Sequence, residues 1–231
     1  MLSAMAPGRF AAAINQAPMP RRTSADALRW TDYARNAVRP LRSTGTWPPE
    51  HLLRHVFETC PSFRDARALL EQAPLARPVL VTLVGVKPGE RVVIEREEKT
   101  FRTRIAEGAV ANAWHEAREG WEPRVCGVGQ PVENNARRIA ALSAWAGRET
   151  LAFEWAVPPV LNSFTRLSID TTPASGALRV MGWEPGASGG AMPVSAGSFS
   201  SVPMPAAAEG PRWAIWSILC SCRQMPFTRL T

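Results

Sequence analysis

Hydrophobic positions change period several times along this chain, and each change marks an element. Phe10–Ile14 is a short apolar run suited to a strand, and it stops at Asn15. Such a strand reads as the interior of a domain more than as its beginning. An irregular stretch rich in Arg and Pro follows over 19–49, broken by one helical patch at about 25–37. Pro48 and Pro49 then set up a helix start. In HLLRHVFETC the positions Leu52, Leu53, Val56, Phe57 and Cys60 fall on one helical face, and Pro61 ends the run. Ser62 and Asp65 form a capping box with Asp in place of the usual Glu. They open a second helix, FRDARALLEQA, with Phe63, Ala66, Leu69 and Leu70 inward.

The period then shortens. PVLVTLVGV is a continuous apolar run of strand length, which predicts a strand buried on both faces. KPGE supplies a turn around Gly89, and RVVIERE returns, so residues 78–97 predict an antiparallel hairpin. EKTFRTRI and GAVANAW are two further extended candidates, the second reaching Asn112 near its end. ENNARRIAALSAWAG predicts a helix that turns Ile139, Leu142, and Trp145 or Ala146 inward. Residues 151–157 fit neither period. NSFTRLSID and ALRVMGWE predict a second hairpin around TTPASG. Beyond Pro185 the composition turns to Gly, Ala, Ser, Pro and Met, so 1–186 reads as a domain and 187–231 as a low-complexity, poorly packed tail. Within that tail WAIWSILC could form a short helix over an apolar surface. The whole reads as an α+β fold with layered, mostly antiparallel sheets.

Composition changes this picture little. The 231 residues carry a formal charge of +7, and the excess is nearly all Arg, since Lys87 and Lys99 are the only lysines. These arginines are scattered among acids and form no run, which points away from nucleic acid. Met1–Pro20 lacks the pattern of a signal peptide and no apolar run is long enough to span a bilayer, so a cytoplasmic location is expected. Four cysteines are too few and too irregular for a disulfide framework. Cys220 and Cys222 form a C-x-C pair, but no His cluster accompanies them, so neither a metal nor another cofactor is expected.

Several phrases come in a recognisable order: GRFAAAINQAP, HLLR followed by VFETC, PLARPVLVTLVGV, RVVIERE, ANAW, NNARR and PVLNSFTRL. In that order and spacing the chain, over about Leu2–Glu184, resembles the linear amide C–N hydrolases of the choloylglycine hydrolase and acid ceramidase group, which are N-terminal-nucleophile enzymes. The resemblance implies an αββα sandwich. It implies a Cys at the mature N-terminus that attacks an amide carbonyl, with its own α-amine moving the proton. It places Asn15 and Asn112 as oxyanion contacts, and Arg137 or Arg138 as the Arg that holds the centre. Ala141, four residues past Arg137, favours Arg137 slightly. The chemistry suits these types: an amide NH2 is a neutral donor to a developing oxyanion, and an Arg is a fixed charge. The substrate implied is a small acylated amine or acylated amino acid.

Departures from the family pattern set the remaining expectations. The nucleophilic Cys should lie upstream of the GRFAAAIN phrase, yet only Met1–Pro7 precede it here and none is Cys. The family's Asp after the second Asn is also replaced, since ANAW runs on to His115. The expectation is a truncated or divergent hydrolase, inactive as it stands. The alternatives are a non-catalytic remnant, a subunit needing a partner, or an acyltransferase. Cys60, at the end of an amphipathic helix, reads as a core residue, and Cys126 as a loop residue without a base. Asn162 and Arg166 read as structural, and His115 as an exposed loop residue. A sheet edge left open by a missing first strand invites self-association or a homo-oligomer.

Overall fold

A computed structural model describes residues 2–23, 28–39, 44–127, 129–145, 153–186, 190–200 and 215–220. It opens with an antiparallel pair. β1 (Leu2–Ala6) runs into β2 (Phe10–Gln16) in a register that sets Leu2 opposite Ile14 and Ala6 opposite Phe10. Pro7 and Gly8 make the turn, closed by the Arg9 N–H donating to the Ala6 carbonyl at 3.0 Å. Gly8 has φ 72°, and Pro followed by a positive-φ Gly is the requirement of a type II turn. The Phe10 strand is therefore internal to its sheet, with β1 on its outer side. No local pattern announces β1, because LSAMA has neither alternation nor β-branched residues.

β3 (Met19–Pro20) follows, then α1 (Arg29–Val38), α2 (Pro49–Thr59) and α3 (Phe63–Gln72). Pro49 stands in the first turn of α2, where its missing N–H costs no helical bond. Ser62 caps α3: its Oγ accepts from the Asp65 N–H at 3.2 Å and donates to the Asp65 carboxylate at 2.6 Å. The hairpin β4 (Val79–Gly85) and β5 (Arg91–Arg96) forms as the sequence predicts, with Val79 opposite Arg96 and Val84 opposite Arg91. β6 (Phe101–Ile105) then completes a five-stranded antiparallel sheet in the order β1-β2-β4-β5-β6.

Strand parity divides that sheet into two faces. Phe10, Ala12 and Ile14 of β2, Val79, Val81 and Leu83 of β4, and Val92 and Ile94 of β5 form one core with Leu52, Leu53 and Val56 of α2 and Phe63, Ala66 and Leu70 of α3. A fully buried Leu or Val contributes about 1.5–3 kcal/mol, so this cluster dominates the stability of the sheet. Buried Arg96 ties the two layers together by donating to the Leu70 and Ala73 carbonyls at the end of α3. The opposite face carries Ala11, Ala13 and Val84. By the same parity Asn15 lies on this second face.

β7 (Trp121–Glu122) pairs with β3, and α4 (Pro131–Ser143) follows. β8 (Thr165–Thr172) and β9 (Ala177–Pro185) form the second predicted hairpin, with Asp170 directly opposite Arg179 and ion-paired to it. Ala141, Leu142 and Trp145 at the end of α4 pack on Phe153, Trp155 and Val160, and so do Met181 and Trp183 of β9. The two sheets meet where the Gly8 N–H donates to the Pro173 carbonyl at 2.9 Å. The architecture is α+β, with helices and antiparallel sheets.

Three expectations differ from what is observed. GAVANAW is not a strand: the Asn112 N–H goes to the Asn135 side chain at 2.7 Å and its carbonyl accepts from the Arg124 N–H at 3.0 Å, which leaves no ladder to join. Within the expected tail, β10 (Ala191–Ser200) pairs with β9 and β11 (Ile215–Cys220) pairs with β8, giving a four-stranded sheet in the order β10-β9-β8-β11. Ladder bonds are made by the backbone, so a stretch of Gly, Ala and Ser can join a sheet without an apolar pattern. The run read as a short helix in WAIWSILC is thus a strand over 215–220. The rest of the expected tail (187–189, 201–214 and 221–231), together with Ala146, residues 25–27 of the first helical patch and Cys222, lies outside the described residues.

Candidate functional site

Beyond Gln16 the chain leaves the sheet, and the polar groups at that end gather side chains from α4 and from the loop after β6. Asn112 is the centre. Its Nδ2 donates to the Gln16 carbonyl at 3.0 Å, and its Oδ1 accepts from Arg138 Nη1 at 3.0 Å. Asn135 fixes the backbone of the same residue through the Asn112 N–H, and donates its own amide to the Arg124 carbonyl at 2.9 Å and the Pro131 carbonyl at 2.8 Å. Arg124 closes the circuit by donating from Nε to the Ala17 carbonyl at 3.1 Å. Asn112, Asn135 and Arg138 are all buried. Buried polar groups are costly unless hydrogen-bonded, and here they are bonded to one another and to the end of β2.

Helical geometry explains which residues of NNARR enter. Asn134, Asn135 and Arg138 lie one and four positions apart and share a face. Arg137 points away: its side chain is 68% exposed and lies 3.8 Å from Glu133 on the outer surface of α4. The register of α4 thus turns Arg138 inward and Arg137, the slightly preferred of the two, to the surface. Asn134 bonds Cys126 reciprocally, accepting from its N–H and donating to its carbonyl.

Asn15, half-buried, donates to the Val110 carbonyl at 3.4 Å, two residues before Asn112. The structure thus brings Asn15, Asn112 and Arg138 to one end of β2 and leaves Arg137 outside. Asn112 spends one of the two hydrogens of its amide NH2 on Gln16. Arg138, bonded to Oδ1, draws electron density from the same amide and strengthens that donor.

The loop is held from its far side by buried Glu95 of β5. Glu95 accepts from the His115 N–H at 2.6 Å and pairs with Arg118 at 2.6 Å, while Arg118 lies over the Trp114 ring at 4.2 Å. The His115 ring is exposed. Asn135, Arg124 and Glu95 are the positioning residues that sequence reasoning missed. Only the NNARR phrase pointed to Asn135, and nothing in the local pattern marked the other two. Asn162 closes its own turn, accepting from the Phe164 N–H at 3.0 Å, and Arg166 donates to the Ser163 and Thr165 carbonyls.

Neither Cys60 nor Cys126 is placed as a nucleophile here. Cys60 packs in the core under α2 and α3, on the other face of the sheet from Asn15. Burial pushes its thiol pKa up, helped by Asp65 and opposed by the Thr59 hydroxyl and Arg9. Cys126 is disulfide-bonded. Among the described residues no helix is long and apolar enough to cross a membrane.

No family model matches the chain, and no curated protein matches it. Among solved structures it is similar to the Caenorhabditis elegans ortholog of N-acylethanolamine-hydrolyzing acid amidase. The identity is 18%, over 45% of this chain and 40% of that one, with a TM-score of 0.34. The match spans less than half the length of either chain.

Proposed function

We propose that this chain holds the oxyanion and positioning half of a site for linear amides, built on a divergent N-terminal-nucleophile αββα sandwich. The observation that carries the reading is the buried Arg138–Asn112 bond, which occupies Oδ1 and, among the described residues, leaves one amide hydrogen of Asn112 beyond its bond to Gln16 at the end of the strand that carries Asn15. In this reading Asn15 and Asn112 donate to the amide oxygen of a small acylated amine, or of an acylated amino acid. Arg138 acts through Asn112 as a positioning residue. The substrate oxygen gains charge as the carbonyl is attacked, and fixed neutral donors stabilise that charge without titrating. Cys60 on the opposite face and Cys126 in a disulfide are not placed to attack, which supports binding of such amides without cleavage by either.

The test is a series of N-acyl amides presented to the purified chain, with binding followed by heteronuclear NMR and cleavage by release of the free amine. Binding without turnover is expected. Asn15→Ala should weaken binding, and Arg137→Gln should leave it unchanged. Turnover by the unmodified chain would overturn the non-cleaving reading. Binding indifferent to Asn15→Ala would overturn the site itself.

A further inference from the structure

α1 is inside out. A helix docked on a domain usually buries its apolar stripe. Here the buried residue is Asp32, whose carboxylate accepts from the Thr23 hydroxyl at 2.8 Å and pairs with Arg21 Nε at 3.3 Å. On the same side Asn36 donates to the Pro20 carbonyl at 3.0 Å. The residues at the first, fourth, fifth, eighth and ninth positions of a helical stripe are Trp30, Tyr33, Ala34, Ala37 and Val38, and all are exposed. Trp30 is 69%, Tyr33 44% and Val38 42% accessible. The polar side is thus used as the anchor, and a full amphipathic stripe faces outward.

We infer that this face of α1 docks on an anionic lipid surface, with the helix lying in the plane of the interface. The inference is independent of the amide-hydrolase reading. Three features choose lipid over a second protein. First, the stripe exposes on the order of 400 Å², about half of what each partner of a stable protein pair buries. Second, exposed Arg22 and Arg35 border an open groove beside the stripe, together with Arg39, which is paired to Glu98. Apolar insertion and basic attraction together form the two-signal arrangement that interfacial helices need. Third, Trp and Tyr are the side chains that favour the headgroup boundary, apolar in body and polar at one tip. The Asp32 network holds the helix in place beforehand, so the stripe is presented without a folding step on the membrane.

The experiment is co-sedimentation of the purified chain with vesicles of phosphatidylcholine containing about a quarter phosphatidylserine, against pure phosphatidylcholine. Binding to the anionic vesicles is expected, roughly tenfold stronger than to the neutral ones and weakened by high salt. Trp30→Ser with Val38→Ser should abolish it, and Arg22→Gln with Arg35→Gln should reduce it towards the neutral level. Circular dichroism of each variant must match the parent. These positions are exposed, so folding should survive. No binding to anionic vesicles would overturn the inference, as would binding unchanged in the stripe variant. A concentration-dependent dimer that the stripe variant abolishes, without vesicle binding, would assign the face to a second copy instead.

Discussion

Replacing Asn135 by Ala tests the buried network where it is most heavily used. The Asn135 side chain accepts from the Asn112 N–H at 2.7 Å and donates to the Arg124 and Pro131 carbonyls at 2.9 and 2.8 Å. Alanine leaves the Asn112 N–H unmatched in a buried place and withdraws a donor from two carbonyls. Each buried polar group left without a partner costs about 1–3 kcal/mol, and the donor is the group least able to find a replacement. Pro131, at the start of α4, retains the helical bond to its carbonyl, so its loss is the smallest. The sum is roughly 3–5 kcal/mol, a large fraction of the 5–15 kcal/mol that holds an ordinary domain together. Urea unfolding read by tryptophan fluorescence measures it, with Arg137→Ala as the control on the same helix, expected within about 0.5 kcal/mol of the parent. Asn135→Asp adds a pH signature. It keeps the acceptor but aims a carboxylate at two carbonyls, so the introduced carboxyl has a folded pKa above its unfolded value near 3.9. That variant should be least destabilised below about pH 4 and should lose stability as the pH rises through the folded pKa. A cost for Asn135→Ala under about 1 kcal/mol, or one equal to that of the Arg137 control, would refute the claim that this network holds the loop.

Two further outcomes follow from the charges and thiols. Burial alone pushes the Asp32 carboxyl up, but the Thr23 hydroxyl, the Arg22 and Thr23 N–H groups and Arg21 outweigh it and leave its pKa below the usual 3.8. The contribution of Asp32 to docking α1 is therefore complete above its unfolded pKa and is lost as the pH falls through the lower, folded one. Hydrogen exchange in α1 should accelerate over that acid range, and in Asp32→Asn it should be fast already at neutral pH with the acid step gone. Cys60 should resist alkylation in the folded chain and react at once in denaturant, because its thiol is buried and its pKa is raised; labelling at equal rates in both states would contradict its place under α2 and α3.

The parts of this fold that were legible in the sequence are those where local chemistry and burial agree. The 79–96 hairpin has a two-sided apolar strand, a turn residue and a return strand, and the Ser62 cap stands immediately before α3. α4 shows the opposite case. Its periodicity correctly turned Leu142 and Trp145 towards a core, yet its most buried residues are Asn134, Asn135 and Arg138. A buried polar face and a solvated one have the same letters, and only tertiary partners separate them. For that reason the letters of NNARR could not tell which Arg faces inward; the register of α4 buries Arg138 and exposes Arg137. β1, β10 and β11 were hidden for other reasons. β1 and β10 join the sheets through backbone bonds that need no apolar pattern, with Pro193 of β10 placed at the register shift before Ser195, while the apolar run of β11 suits a short helix as well as a strand.

The same ambiguity runs in reverse at α1, and the two cases explain each other. α4 puts amides and an Arg inside, where each finds a partner in the segments that precede the helix, at Cys126, Arg124 or Asn112. α1 puts Trp30, Tyr33 and Val38 outside, and uses an Asp as its root. Both arrangements cost stability relative to the usual distribution of polar and apolar residues. Sequences that break that distribution consistently, with every buried polar group matched, do so most often where function requires it. The two elements sit on either side of the same short connection, since Gln16 and Ala17 meet Asn112 and Arg124 while Pro20 and Arg21 meet Asn36 and Asp32. A displacement of α1 on a surface would therefore reach the Asn112 network through only a few residues of backbone. Amide-binding affinity measured with and without anionic vesicles reads that coupling directly: a change seen in the parent and absent in the Trp30→Ser, Val38→Ser variant would tie the helix to the site, and equal affinities in both would separate them.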